Sequence, residues 1–424
     1  MNAPLPIPAS HRTLVDGLRR AFHDAPADPA LAHTDWGILF RQAQEHGVHA
    51  FLYPWLTRQL PDLFSPRAPL PKDDVPAAWR ARFLQSLSHS SLRRNQLSKL
   101  FSDFGQAGLA VIPLKGAWLS ETVYDDPAQR TMSDVDLLVR SEDLDAAHAH
   151  LLASGYRVMQ NTLHNPFSRD QSYLHDSYPW AIELHWDFAS EMSDAMPPPD
   201  LGDIWENSAP GPLFGQTAKQ LSLEDCVSLL AYHLLGHRFA LPLRAHLDLA
   251  LLLRRFGGRL SPEGLKAASA RWKTGAGVPF LLRFTSELFE IPLPPALAAY
   301  AGEVEPARLA QACQALFHLP QARDCGGEET LLQFKHASWP ERIRLVARRI
   351  FMPQAFLVMH YPCARTRWGL PLAWLFRASD LVRNKAGKLA PALRGDEADS
   401  RLPSGAENRE KLVRWLLTKK NGPA

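Results

Sequence analysis

Two aspartates separated by one residue, in Ser133-Asp134-Val135-Asp136-Leu137-Leu138-Val139, are the residues most able to do chemistry in this chain. If the segment is a strand, alternate side chains share a face. Val135, Leu137 and Val139 then point one way, and Asp134 and Asp136 the other. Their Cα atoms lie roughly 7 Å apart, and their carboxylates can converge on one cation. Two adjacent like charges are unfavourable unless something positive sits between them, and hard divalent ions with oxygen ligands, magnesium (or manganese) above all, meet that need. A second segment, Ile182-Glu183-Leu184-His185-Trp186-Asp187, alternates in the same way. If it lies beside the first, Glu183 becomes the third carboxylate of a metal site, with Asp187 as its competitor and His185 on the same face.

The elements that must position these groups form a short mixed region. Leu109–Leu114 is an apolar run after Gly108 and predicts a buried strand. Lys115-Gly116 ends it and a helix follows over Ala117–Val123. Strand Asp134–Val139, helix Leu144–Ala153, a strand-like Gly155–Met159 and an antiparallel pair, Gln171–His175 and Trp180–Asp187, complete it. This pattern predicts an α+β fold with a small mixed sheet. Helical periodicity precedes it at Leu14, Leu18 and Phe22, at Trp36–Gly47 and at Ala77–Phe104. Between the last two, Pro61, Pro66, Pro69, Pro71 and Pro76 read as a linker. Pro197–Pro199 and a turn at Pro210–Pro212 mark a second boundary, and helices continue to about residue 390. The expected organisation is an N-terminal helical region (1–104) wrapped around a catalytic core (105–190), a helical C-terminal domain (213–390), and a linker with a short terminal helix, Glu407–Leu417 (391–424).

Composition narrows the class. Forty-seven basic against 44 acidic residues leave a net charge of only +3 across 424 residues, so electrostatic arguments are local. Four cysteines, Cys226, Cys313, Cys325 and Cys363, lie far apart, which argues against a zinc site or a disulfide scaffold and fits a reducing cytoplasm. No leader-like stretch opens the chain and no apolar run approaches the ~18 residues of a membrane span; the expected location is the cytoplasm.

Taken together, strand-Lys115-Gly116-helix, Arg130-x-x-Ser133-Asp134-x-Asp136-Leu-Leu-Val and Ile-Glu183-Leu-His185-Trp186 resemble the polymerase-β-like nucleotidyltransferase superfamily. Within it, the likeness is to a bacterial branch of largely uncharacterised nucleotidyltransferases. The catalytic likeness covers about eighty residues, and a looser one takes in Glu45–Val48 and the helices after the core. The resemblance implies transfer of a nucleoside monophosphate from a nucleoside triphosphate, such as ATP, to an unknown acceptor: a small molecule, a sugar, a protein or an RNA. It assigns Asp134, Asp136 and Glu183 to catalysis and metal binding, and Lys115, Gly116, Arg130 and Ser133 to the nucleotide. One departure stands out. The superfamily usually carries Gly-Ser or Gly-Gly where this chain has Lys115-Gly116-Ala117, so the phosphate-holding serine hydroxyl is missing and Lys115 supplies a point charge instead. A non-catalytic nucleotide- or partner-binding module on a degenerate transferase fold is the alternative.

Other pairings carry structural expectations. Arg130 either clamps phosphate or pairs with Asp125 or Asp126. His233 and His237 share one helix face at i, i+4 and are expected to be structural, as is an Arg244–Asp248 pair. The stretch 335–388, from Lys335 to Lys388, interleaves Arg342, Arg344, Arg348, Arg349, Arg365, Arg367, Arg377, Arg383 and Lys385 with Phe351, Phe356, Tyr361, Trp368, Trp374 and Phe376. It reads as a helical subdomain with its aromatics in the core; the alternatives are an RNA-holding or a membrane-surface role.

Overall fold

The computed structural model describes residues 4–64, 75–159, 163, 168–188, 196–317, 339–352, 354, 357–358, 361–380, 383 and 404–418. The fold is α+β. Helices α1 (Arg12–Phe22), α2 (Trp36–Glu45), α3 (His49–Gln59), α4 (Pro61–Phe64) and α5 (Val75–Gln106) precede the sheet region. That region comprises β1 (Val111–Pro113), α6 (Lys115–Thr122), β2 (Asp134–Val139), α7 (Leu144–Ala153), β3 (Arg157–Val158), β4 (Asp170–His175) and β5 (Tyr178–His185). After α8 (Leu201–Glu206) and a hairpin, β6 (Ala209–Leu213) and β7 (Gln216–Gln220), come α9 (Leu223–Gly236), α10 (Leu243–Phe256), α11 (Pro262–Arg271), α12 (Gly277–Phe289), α13 (Pro295–Ala301) and α14 (Pro306–Phe317).

The strands order as β1-β2-β5-β4-β3. β1 runs antiparallel to β2, while β5 runs parallel to β2 and sets Asp136 abreast of Glu183. β4 pairs antiparallel with β5, and β3 with β4. One face of this sheet is apolar, with Val135, Leu137, Tyr173, Ile182 and Leu184 all fully buried. α5 and α7 lie against it: the Trp180 indole donates to Gln96 Oε1 at 2.6 Å, and His148 Nδ1 meets the Tyr173 hydroxyl at 2.8 Å. The opposite face is polar only over the first half of β2, because Leu138 is as buried as its neighbours.

Two expectations from the sequence need correction. Pro61 opens a short helix rather than a linker; Pro66, Pro69 and Pro71 lie outside the described residues. Pro210–Pro212 is not a turn but part of β6, paired with β7. Proline is tolerated there because a two-stranded ribbon leaves one edge of each strand without donors to supply. The turn is Phe214-Gly215, with φ of 52° and 73°, the positive pair that a two-residue hairpin loop requires.

The chain divides into two compact units, one of Met1–Leu163, Phe167–Phe317 and Leu412–Ala424, the other of His164–Pro166 and His318–Lys411. The first has one continuous core. Its last contributors are Leu412, Val413 and Leu416, from the helix Ser404–Thr418. The second has a small core of Met352, Leu357, Ala364 and Ala373, with Tyr361 and Trp374 packed on it. Phe351, Phe376 and above all Trp368, 92% exposed, do not join that core; Lys335, Phe356, Lys385 and Lys388 lie outside the described residues. Among the described residues no helix is long and apolar enough to cross a membrane.

Two buried histidines make the stability of the first unit pH-dependent. Burial, aided by neighbouring imidazoles, lowers His46 to about 4 and His246 to about 3. Both are therefore neutral when folded, and His46 Nδ1 accepts the Leu243 amide at 3.2 Å. An unfolded histidine binds a proton below ~6.5, which these two cannot do in the fold. Stability is thus full above pH 6.5 and drains as pH falls toward 4, at up to about 1.4 kcal/mol per pH unit for each group. Melting temperatures measured from pH 7 to 4.5 should fall accordingly, with a shallower slope in His246→Phe. An identical slope in that variant would exclude His246 as a source.

Candidate active site

The site is built where β1 hands over to α6 and β2 begins. Asp136, 6% exposed, projects from the polar face of β2. Its Oδ1 accepts from Lys115 Nζ and from His185 Nε2, each at 2.9 Å. Glu183, beside it on β5, has Oε2 3.8 Å from His185 Nε2. One ligand atom from each of Asp136, Glu183 and His185 lies within 4.8 Å of the others. Burial alone would raise the Asp136 carboxyl, but the Lys115 ammonium and the His185 hydrogen bond hold it far below the usual carboxylate range. Glu183 moves the other way, raised by burial and by the Asp136 and Asp134 charges. Neighbouring carboxylates pushed apart in this manner are the pattern expected of an acid–base or metal site.

Asp134 shares the face but lies outside this cluster; it is half-buried and accepts from the Ser133 hydroxyl at 3.2 Å. Asp187, the competitor of Glu183, is 3.2 Å from Arg169 Nε. The Asp136 charge is met by the chain's own cation, Lys115, while Asp134 lies in the field of Arg93, Arg130 and Arg244.

Lys115 does this from an unusual backbone. Its φ is 39°, a left-handed sector that costs a residue with a side chain about 1–2 kcal/mol, and it sits at the first turn of α6. Gly116 is glycine for a separate reason. A Cβ there would come 2.5 Å from Met132 Sδ and 2.7 Å from Arg130 Nη1, so the loop leading into β2 packs directly on the helix start.

Arg130 is neither paired with Asp125 or Asp126 nor open to solvent. Its guanidinium forks onto Asp248 of α10, Nε to Oδ1 at 3.0 Å and Nη2 to Oδ2 at 2.8 Å, and the Tyr124 hydroxyl adds a 2.7 Å bond to the same carboxylate. Asp125 faces Arg254 and Arg255, and Asp126 caps Ala128 N. The expected Arg244–Asp248 pair is also replaced: Arg244 Nη1 donates to Thr131 O at 2.8 Å. His233 and His237 stack edge to face with centroids 4.5 Å apart. His233 is lowered well below its ordinary value by burial and then by Lys115, which places α9 beside the site.

In the sequence His185 is marked only by its place on the acidic face, and Arg93 of α5 is not marked at all. The strand pattern put His185 on the right face, but only the parallel register brings it to Asp136. Arg93, 5% exposed, lies within electrostatic reach of Asp134 and Arg130; from sequence it is one arginine among several on a long helix.

A family model described as uncharacterised nucleotidyltransferase matches residues 32–290, spanning α2 through α12 and hence the whole sheet and the helices beside it. No curated protein matches the chain. Among solved structures, the antibiotic-resistance factor ANT(2'')-Ia aligns at 15% identity over 43% of this chain and 91% of that one, with a TM-score of 0.31.

Proposed function

Since the chain belongs to the uncharacterised nucleotidyltransferase family, we propose that it transfers a nucleoside monophosphate from a metal-bound nucleoside triphosphate to an acceptor, releasing pyrophosphate. The observation that carries this reading is the in-register pairing of Asp136 with Glu183 on parallel strands, next to the first turn of α6. The donor chemistry fits a divalent ion. Asp136 and Glu183 offer hard oxygens, and Asp134 is one strand period away for a second contact. His185 Nε2 must carry the proton it gives to the deprotonated Asp136, so it orients that ligand rather than binding metal itself. When bound, magnesium or manganese would neutralise charge on the triphosphate and the leaving pyrophosphate. Amides at the start of α6 and the Lys115 ammonium would receive phosphate oxygens. Glu183, its carboxyl raised, is suited to take the acceptor's proton.

Incubation with labelled ATP, GTP, CTP and UTP, magnesium and a panel of acceptors tests the proposal directly. Label transfer lost in the Asp134→Ala/Asp136→Ala double variant supports it; no transfer by either protein refutes it.

Lys115 gives the reading a sharper edge. An ammonium on Asp136 Oδ1 competes with a metal for the same oxygen. Lys115→Met should therefore bind Mn2+ more tightly in the absence of nucleotide, by several-fold, and bind nucleotide less tightly, read by paramagnetic resonance and by calorimetry. Unchanged Mn2+ affinity would show that the lysine does not guard the ligand. The same ion pair favours a second reading, a non-catalytic nucleotide- or partner-binding module, since Asp136 is satisfied without metal. Calorimetry separates the two, because such a module shows no magnesium-dependent nucleotide binding.

A further inference from the structure

Among the described residues Arg93 is a buried cation with no carboxylate at ion-pair distance. Its residue is 5% exposed, and its Nε lacks any hydrogen-bond partner. Its neighbour Arg94, by contrast, lies 3.5 Å from Glu121. What holds Arg93 is a ring: its guanidinium carbon sits 4.6 Å from the Trp180 centroid. Trp180 is itself pinned by Gln96 at 2.6 Å and flanked by His89, centroids 5.5 Å apart. A guanidinium held through its face keeps its N–H edge for a planar or tetrahedral oxyanion, which it binds through two parallel hydrogen bonds.

The surroundings carry surplus positive charge. Arg93 has Arg130, Asp134 and Glu121 in its field, and Arg244 has Arg130, Asp248 and Asp134 in its own. Asp248 forks with Arg130, and Glu121 is shared between Arg94 and Arg93. Asp134 is the further carboxylate in the field of both Arg93 and Arg244, on the face proposed to hold the metal. Burying an unpaired charge is costly, and burial lowers Arg93 to about 10. An incoming anion would relieve that cost. The location follows from the register: Trp180, whose ring lies on the face covered by α5, is one residue from Ala181, which stands abreast of Asp134, and Asp134 lies in the field of Arg93, whereas Lys115 and the start of α6 lie at Asp136.

We propose that Arg93 anchors an oxyanion site at the start of β2, separate from the Lys115 phosphate contact, and that it takes a phosphate or carboxylate group of the acceptor. The word acceptor rests on the nucleotidyl-transfer reading; the oxyanion site does not, and it is measured without nucleotide. Calorimetric titration of the full chain with inorganic phosphate should show binding that weakens at least tenfold in Arg93→Gln and less in Arg93→Lys, which keeps the charge but not the fork. Equal affinity in wild type and Arg93→Gln, or no phosphate binding by wild type, overturns the site. Repeating the titration with saturating magnesium and a non-hydrolysable nucleoside triphosphate identifies the source. Phosphate that still binds belongs to the acceptor side; phosphate excluded by nucleotide, with nucleotide affinity itself reduced in Arg93→Gln, overturns the acceptor assignment. Should Arg93→Gln not fold, phosphate protection of wild-type Arg93 from phenylglyoxal, followed by peptide mass spectrometry, decides the same question: protection supports the site, and its absence overturns it.

Discussion

Asp136→Asn should lower nucleotidyl transfer on the order of 10³-fold, the equivalent of several kcal/mol of lost charge stabilisation at the reacting phosphate. The amide keeps the shape of the side chain, but its neutral oxygen is a poor metal ligand. It is also a weaker acceptor for the Lys115 ammonium and for His185 Nε2, both 2.9 Å away in the wild type. Three readouts should move together: turnover, Mn2+ affinity, and the midpoint of thermal unfolding, because Lys115 is left without its anion in a half-buried position. Asp134→Asn offers the contrast. Asp134 is less buried and its carboxylate accepts from the hydroxyl of Ser133, so turnover should fall while the melting temperature stays within a degree or two. Equal turnover in Asp136→Asn and wild type would remove the carboxylate pair from the chemistry.

The sequence made the strand with two aspartates legible because its signal is local: Val135, Leu137 and Val139 alternate with Asp134 and Asp136, and β2 runs over Asp134–Val139 as expected. The α+β class followed from the same kind of pattern, with α7 matching at both ends. Non-local facts were not legible. That β5 lies parallel to β2, with Glu183 opposite Asp136, depends on the crossover and not on any residue in either strand. Alternation also could not show that Leu138 is buried on the nominally polar side. The β6–β7 hairpin was missed because its prolines carry a turn signal and its real turn, Phe214-Gly215, lacks the usual asparagine or aspartate. Charge pairing misled most. Spacing of i, i+4 on α10 suggested Arg244 with Asp248, yet Asp248 serves Arg130, 118 residues earlier. Short-range rules rank neighbours on one helix and say nothing of a carboxylate pointing into the core.

That long-range pair carries the second large effect, on stability. Asp248→Asn should destabilise the protein by about 3–5 kcal/mol, the usual result of removing one partner from a buried ion pair. Asp248 is 1% exposed and Arg130 8%, so neither water nor salt can screen the guanidinium that is left behind. Burial by itself would lower the Arg130 pKa; the Asp248 charge reverses this and raises it, which shows how strongly the two depend on each other. Tyr124, also buried, is left to share with Arg130 the single neutral amide oxygen that remains. The damage should not stay local. Arg130 Nη1 also donates to Thr131 O and lies against Gly116, so its displacement loosens the loop that delivers Asp134 and Asp136. Turnover in Asp248→Asn should fall even at temperatures where the variant is fully folded. The double variant Arg130→Met/Asp248→Leu is the discriminating measurement, since well-packed apolar replacements of a buried pair are often neutral or stabilising. It should recover most of the lost melting temperature. If Arg130 serves only to brace the loop, turnover returns with stability; if it also meets phosphate, nucleotide affinity stays low after the fold is restored. A double variant as unstable as Asp248→Asn would mean that shape, not charge, makes this junction between α10 and the β2 loop.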